Sequence, residues 1–182
     1  MPYYVLTGTP GSGKTAIVRQ LEIDGYRVVE EAATDVIALD HALGQPESWS
    51  EPGFADRIVS LQRRRELLAG GGPDNQVVFF DRSPICTLAL SRHLGRPPSA
   101  MLAAEVSRVV AAGVYASSVF FVRNQGYVAP TAARRISFAD SLAFEKLHER
   151  AYLEHGFRLV DVPAGPLPTR VARVRSAVGL LG

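Results

Sequence analysis

The sequence predicts an α/β fold in which a five-stranded parallel sheet lies between two layers of helices. Short apolar runs rich in β-branched and aromatic residues alternate with longer segments of helical periodicity. The first apolar run leads through a glycine-rich turn directly into a helical segment, the order of a strand, a loop and a helix. At 182 residues the chain is long enough for one core, and we expect a single domain over residues 1–182.

Five runs have the composition of strands. Each contains aromatic or β-branched residues and is bounded by polar or turn-forming residues. The third run is the most apolar, which predicts a central place in the sheet. We expect the strands at residues 3–6, 26–29, 76–80, 118–122 and 157–162.

Seven segments have the periodicity of helices. Gly25 follows the first of them, where glycine can take the left-handed conformation that ends a helix. Ser137 begins the sixth and is followed three positions later by Asp140, a pattern that resembles a capping box. Residues 44–53 contain two prolines and Trp49, which predicts a loop or a mobile flap. We expect the helices at residues 13–22, 31–43, 54–69, 85–94, 100–112, 137–155 and 169–180.

The turn between the first strand and the first helix matches the pattern G-x-x-x-x-G-K-[ST], the P-loop. Its small residues let consecutive backbone N–H groups converge on phosphate oxygens, and the helix N-terminus adds partial positive charge. We expect Lys14 to contact the β- and γ-phosphates of a nucleoside triphosphate and the Thr15 hydroxyl to bind Mg²⁺. The sequence thus predicts a P-loop NTPase fold, a three-layer α/β/α sandwich. Its nucleotide-binding residues are Gly8, Thr9, Pro10, Gly11, Ser12, Gly13, Lys14 and Thr15.

Asp81 and Arg82 end the third strand, where side chains of a doubly wound sheet face the ligand crevice. A carboxylate there can hold Mg²⁺ through water, or accept a proton from an attacking hydroxyl. Motor and transporter ATPases usually place Glu after this aspartate, whereas Arg82 suits a phosphate or the charge that develops during phosphoryl transfer. We therefore expect Lys14, Asp81 and Arg82 to be catalytic, with Asp81 also a metal ligand. A surface ion pair between Asp81 and Arg82 is the alternative.

Residues near the second strand are candidates for binding an acceptor. Glu31 and Asp35 lie one helical turn apart, where either carboxylate could bind a substrate hydroxyl alongside Arg82. Acidic residues also suit the first turn of any helix, so this prediction has a purely structural alternative. Gln62 and Arg65 are further residues within possible reach of an acceptor pocket.

The segment 123–137 is expected to act as a lid over the phosphates. Arg123, Arg134 and Arg135 bracket it, and a lid needs cations to clamp phosphates and flexible flanks to exclude water. A solvated basic loop is the alternative. The lone Cys86 and the four histidines have no metal-ligand or catalytic spacing, and we interpret them as ordinary core or surface residues.

Composition excludes several classes of protein. The formal charge of +2 gives no electrostatic case for nucleic acid. A single cysteine precludes an intrachain disulfide and favours a cytoplasmic enzyme. The N-terminus has no charged segment followed by an apolar stretch, so we expect no signal peptide. The most apolar run, residues 109–122, is interrupted by polar residues and is shorter than the ~20 residues of a membrane helix.

With these motifs placed, the chain resembles the kinase branch of P-loop NTPases. Asp81-Arg82-Ser83 is similar to the Glu/Asp-Arg-Ser element of deoxynucleoside kinases and to the Asp-Arg element of thymidylate kinases. The order of the motifs resembles the AAA-type domain of the ribosylnicotinamide kinase portion of NadR and its relatives; the matching stretches are residues 8–15, 28–33, 80–82 and 151–163. This resemblance implies the strand order 2-3-1-4-5. It also implies that the acid acts as base or metal partner and that the arginine binds the acceptor.

We therefore expect transfer of the γ-phosphoryl group of ATP to a hydroxyl of a small molecule. A nucleotide-binding switch or slow ATPase with a protein partner is one alternative. A P-loop fold that binds a ligand without chemistry is another, although the intact Lys14, Thr15 and Asp81 disfavour it. The acceptor, the preference for ATP over GTP and the oligomeric state are left open by the sequence.

Overall fold

The computed structural model describes residues 2–71, 76–126 and 137–181. One parallel five-stranded sheet lies between helices, which confirms the predicted fold class. The strands are β1 (Tyr3–Thr7), β2 (Arg27–Val29), β3 (Val78–Asp81), β4 (Ser118–Val122) and β5 (Arg158–Val162). The α-helices of the described ranges are α1 (Lys14–Ile23), α2 (Ala32–Ala42), α3 (Phe54–Ala69), α4 (Pro84–His93), α5 (Ala100–Ala111), α6 (Phe138–Glu154) and α7 (Leu167–Leu181).

The strand order is β2-β3-β1-β4-β5, and every pairing is parallel. This is the order implied by the resemblance. β3 lies inside the sheet and all four of its residues are buried, but the middle position belongs to β1. The third strand is therefore an interior strand with neighbours on both sides, which confirms the place in the sheet that its apolar composition predicts. Apolar composition reports burial on both faces, and β1 and β3 share that burial.

The core has two parts, one on each face of the sheet. Tyr4 and Leu6 of β1 pack with α1 and α7, whereas Val5 between them packs with α3, α4, α5 and α6. This alternation follows from the period of two along a strand. The two clusters make the three-layer sandwich that the sequence predicts.

The strand register brings the ends of β1, β3 and β4 to one edge of the sheet. Leu6 of β1 is paired with Asp81 on one side and with Phe120 on the other. The phosphate-binding loop, residues 8–15, leaves β1 at this edge. Asp81 and the start of α2 therefore lie next to it, as ligand-binding residues do in parallel sheets.

The expected flap, residues 44–53, contains a single 3₁₀ turn at Ser48–Ser50. Trp49 packs against a small apolar cluster with Phe54 and Ile58. Arg96 donates hydrogen bonds to the carbonyl oxygens of Ser50 and Glu51, at 2.8 and 3.1 Å. These contacts attach the segment to the helices beside it.

The predicted cap at the start of α6 is confirmed. The Ser137 hydroxyl accepts a hydrogen bond from the Asp140 backbone N–H at 3.1 Å and lies 2.6 Å from the Asp140 carboxylate. Most of the expected lid, including Arg134 and Arg135, lies outside the described residues. Among the described helices, none has both the length and the apolar character needed to cross a bilayer.

Candidate functional site

The phosphate-binding loop needs glycine for two different reasons. Gly11 and Gly13 have φ values of 87° and 76°, a region that disfavours other residues. Gly8 has a φ of 150°, and a Cβ there would lie 2.5 Å from the carbonyl oxygen of Val122. The loop is thus pressed against the end of β4 and then turned into α1, whose first N–H groups have no intrahelical partner.

Lys14 lies in the first turn of α1 and is 4% exposed. Its ammonium group contacts the carboxylate of Asp81, which is also buried, and lies 3.9 Å from Oε2 of Glu31. Thr15 is exposed beside it. The structure therefore brings Lys14 and Asp81, two of the expected catalytic residues, into direct contact, with Glu31 as a second carboxylate.

Arg82 follows β3 in a left-handed conformation, with a φ of 74°, and is the only described residue other than glycine with a positive φ. Its Nε lies 2.5 Å from Oε1 of Glu31. Glu31 holds the N-cap position of α2. Burial alone would raise the pKa of Glu31, but the charges of Arg82 and Lys14 lower it to about 2. Glu31 is therefore an anion between two cations.

His148 of α6 lies behind Arg82 and is fully buried. Its Nδ1 is 3.0 Å from the carbonyl oxygen of Phe144, which can only accept, so Nδ1 carries the proton. Nε2 then accepts from Nη1 of Arg82 at 3.2 Å. Burial, and next the charge of Arg82, lower the pKa of His148 to about 3. His148 is thus a neutral acceptor that orients the guanidinium, a role that its spacing in the sequence did not indicate.

A cavity of about 480 Å³ opens beside this charged cluster. Glu31 and Arg82 are part of its lining, and Pro10 of the phosphate-binding loop borders it. Most of the remaining wall is apolar. The other lining residues are Ala33, Ile37, Trp49, Phe54, Ile58, Gln62, Cys86, Thr87, Leu90, His93, Leu94, Asp140 and Phe144.

The polar groups of the wall are few and specific. Thr87 Oγ1 donates to Oε1 of Gln62 at 3.1 Å. This bond uses the carbonyl oxygen of the Gln62 side chain and not its N–H₂ group. His93 stacks on Phe144 with ring centroids 4.4 Å apart. An apolar pocket with a few placed polar groups is the usual form of a small-molecule site.

Cys86 forms part of the cavity wall and of a buried hydrogen-bonded network. Its Sγ lies 3.2 Å from the Thr7 hydroxyl and 3.1 Å from the Tyr152 hydroxyl, and the latter is 2.7 Å from Ser83 Oγ. This network ties α6 to the start of α4. Cys86 therefore has the core position expected of it, with one side toward the cavity.

Among the described residues, Asp35, Arg65 and Arg123 are not in this cluster. Asp35 forms an ion pair with Arg65, whose guanidinium also donates to the Glu30 carbonyl oxygen at 3.0 Å, so neither side chain is part of the cavity wall. Arg123 pairs with Glu145, Glu149 and Asp161 and lies over the Phe121 ring. Arg134 and Arg135 lie outside the described residues.

The donor groups suit Mg²⁺. Thr15 offers a hydroxyl in the first turn of α1, and Asp81 offers a carboxylate at the end of β3. Hard oxygen ligands are those that Mg²⁺ prefers, and it usually takes only one or two from protein and the rest from phosphates and water. The described residues contain no cluster of three or more His, Cys, Asp or Glu side chains able to hold a metal by themselves.

Sequence comparison identifies the family. The sequence model of a protein family described as 'AAA domain' matches residues 3–170, which is most of the chain. The chain belongs to the AAA domain family. A search among curated proteins finds no match.

Solved structures similar to this AAA domain have the same fold at low sequence identity. A deoxyadenosine kinase from M. mycoides, with dCMP and dCDP bound, has a TM-score of 0.65 at 14% identity, with 98% of this chain and 99% of that chain covered. NadR in complex with NR has a TM-score of 0.73 at 19% identity, and NadR with NAD and AMP-PNP one of 0.71 at 17%. This AAA domain is covered to 99% in both, but spans only 50% and 49% of the NadR chains.

Proposed function

We propose that this AAA domain is a small-molecule kinase that transfers the γ-phosphoryl group of ATP to a hydroxyl of an acceptor bound in the cavity. The observation that carries the proposal is the position of the cavity. Its wall includes Glu31, Arg82 and Pro10, so an acceptor there would lie next to nucleotide phosphates on the loop. A switch protein with a macromolecular partner has no need of an apolar cavity of about 480 Å³ at this place.

The nucleotide would bind through the backbone N–H groups of residues 8–15 and through Lys14. The Thr15 hydroxyl and, through water, Asp81 would hold Mg²⁺, which neutralises phosphate charge when bound. Lys14 would exchange the carboxylate of Asp81 for the phosphates. Arg82 lies at the boundary of the two substrates, where its charge stabilises the transferred group.

Glu31 is the carboxylate of this cluster that faces the cavity, whereas Asp81 is not part of the cavity wall. We therefore assign the acceptor hydroxyl to Glu31 and the metal to Asp81. The acceptor oxygen forms a bond to the γ-phosphorus, the bond from that phosphorus to the β–γ bridging oxygen breaks, and the hydroxyl proton passes to Glu31. In a loose transition state the proton leaves late, so a weakly basic carboxylate is sufficient.

The cavity indicates the kind of acceptor. Trp49, Phe54 and Phe144 suit a flat or apolar group, and the amide of Gln62 suits a hydrogen-bonding edge. The solved relatives are described with deoxynucleotide products and with NR. We therefore favour a nucleoside-like acceptor.

The test is incubation of the protein with γ-labelled ATP, Mg²⁺ and pooled hydroxyl compounds, followed by mass detection of phosphorylated products. A labelled acceptor is expected. Glu31→Gln should then lower kcat by about 10²–10⁴-fold with the KM for ATP little changed. Asp81→Asn should instead make the activity require more Mg²⁺. Release of the label only as free phosphate would contradict the kinase proposal and would indicate an ATPase or a switch protein.

A further inference from the structure

Arg170 of α7 lies against the phosphate-binding loop, far from it in sequence. It is 3% exposed. Its Nη1 donates to the carbonyl oxygen of Ser12 at 2.7 Å, and its Nη2 donates to that of Arg123 at 3.1 Å. One guanidinium group therefore joins the phosphate-binding loop to the chain that follows β4.

The Ser12 carbonyl belongs to the same peptide unit as the Gly13 N–H. In a trans peptide these two groups point in opposite directions, so the bond to Arg170 directs the Gly13 N–H away from α7. A hydrogen bond to the carbonyl also polarises the peptide and strengthens its N–H as a donor. Gly13 is the N-cap of α1, where N–H groups bind anions.

The positive φ of Gly13 is the main reason for glycine at position 13, and the contact with Arg170 adds to it. A Cβ on Gly13 would lie 2.8 Å from Nη1 of Arg170, in addition to the unfavourable φ. The loop and the guanidinium are therefore fitted to each other.

Arg170 also has an unusual electrostatic position. Among the described residues, no carboxylate lies within ion-pair distance of it, and its buried Nε has no hydrogen-bond partner. Burial lowers the pKa of Arg170. A buried cation without a counter-charge is costly, and a polyanion on the adjacent loop would supply that charge.

We infer that Arg170 is a positioning residue of the nucleotide site, which sets the Ser12–Gly13 peptide for phosphate binding and adds a buried positive charge behind it. The inference rests on the part of the proposed function that places a polyphosphate on residues 8–15. It does not depend on phosphoryl transfer or on the acceptor.

The experiment is calorimetric titration of the full chain with Mg²⁺-tripolyphosphate, which has phosphates but no base, and with adenosine, which has a base but no phosphates. Arg170→Met should weaken tripolyphosphate binding by about 10–100-fold, the range for a lost charged hydrogen bond. Adenosine binding should change much less. Arg170→Lys keeps the charge but loses the planar guanidinium group that donates to two carbonyl oxygens. Its affinity for tripolyphosphate should therefore lie between those of the wild type and Arg170→Met.

Arg175→Met is the matched control, since Arg175 lies on the same helix, is exposed and pairs with Asp24. It should bind tripolyphosphate as the wild type does. Equal affinities for tripolyphosphate in the wild type and Arg170→Met would overturn the inference, and so would an equal loss for adenosine, which would indicate a general structural defect. If Arg170→Met does not fold, Arg170→Gln takes its place in the same comparison. A wild type that binds no tripolyphosphate and no ATP would instead reject the nucleotide site itself.

Discussion

The phosphate-binding loop and the cavity lie side by side at one edge of the sheet but are built in different ways. The loop is one run of eight residues, 8–15, whose backbone forms the site. The cavity is lined mainly by side chains of α2, α3, α4 and α6 and of the segment between α2 and α3. The loop is polar and depends on backbone geometry, whereas the cavity is mostly apolar and depends on packing. We expect substitutions in the loop to affect catalysis strongly and those in the cavity to affect the choice and affinity of the acceptor.

Lys14→Met should have the largest effect, because it removes the cation expected to contact the transferred phosphate. We expect kcat/KM for phosphoryl transfer to fall by about 10³-fold or more. The measurement is initial rate with labelled ATP. Lys146→Met removes the other lysine, which is exposed on α6, and should leave the rate unchanged. Similar rates for wild type and Lys14→Met would remove the loop from the reaction.

Loss of Lys14 also leaves the buried Asp81 without its partner, which is destabilising by about 3–5 kcal/mol for a buried pair. Folding is therefore checked by circular dichroism, and Lys14→Arg, which retains a cation beside Asp81, serves where Lys14→Met is unstable.

Arg82→Lys tests the boundary between the two regions. Lysine keeps the charge but cannot bridge Glu31 and His148 as the guanidinium does. We expect kcat to fall by about 10²-fold, with the KM for ATP nearly constant. Arg64→Lys, on an exposed part of α3, is the control and should change neither kcat nor the KM for ATP. A change in the ATP KM alone would place Arg82 with the nucleotide and not at the boundary.

His148 sets a pH dependence of stability. Its pKa is about 3 in the folded protein, against 6.5 as the ordinary value, so the unfolded chain binds a proton that the folded chain does not. The contribution of neutral His148 to the free energy of unfolding is therefore fully present well above pH 6.5. It is lost as the pH falls below 6.5, by up to about 1.4 kcal/mol per pH unit. From pH 6.5 to 5 the loss should approach about 2 kcal/mol.

The measurement is urea unfolding between pH 5 and 7.5. His148→Gln should flatten this dependence, whereas His41→Gln, at an exposed position, should not. Burial also lowers the pKa of His93, which leaves a smaller residual slope. Glu31, with a pKa of about 2, loses its contribution only below its ordinary value of 4.5 and does not interfere. An unchanged slope in His148→Gln would mean that His148 is not the buried neutral base.

Gln62→Leu should have the smallest effect, confined to the cavity side. It keeps the approximate size of the side chain and removes the amide group of a residue that lines the cavity. We expect the acceptor KM to rise by about 10-fold, the value of one hydrogen bond to a neutral group, with the ATP KM constant. Steady-state kinetics with each substrate varied in turn decides this. A change in the ATP KM of equal size would contradict the division into two regions.

The same difference in construction explains what the sequence could predict. The strand order, the phosphate-binding loop and the position of Asp81 follow from local patterns and from the resemblance, because each is carried by contiguous residues. His148 and Arg170 carry no local signal: each lies within an ordinary helix and acquires its role only when the sheet brings it to Arg82 or Ser12. The ion pair of Asp35 with Arg65 likewise depends on how α2 packs against α3. Helical spacing alone placed Asp35 beside Glu31, although Glu31 precedes the helix as its cap.

The central claim is that the phosphate-binding loop and the cavity meet at Glu31 and Arg82. The most direct test is a crystal structure of the protein with Mg²⁺, AMP-PNP and the unphosphorylated acceptor that the labelling experiment identifies. We predict an acceptor hydroxyl in contact with the Glu31 carboxylate and about 3–3.5 Å from the γ-phosphorus, in line with the β–γ bridge. An acceptor bound outside the cavity, or one in the cavity whose hydroxyl points away from Glu31 and the γ-phosphate, would contradict the account.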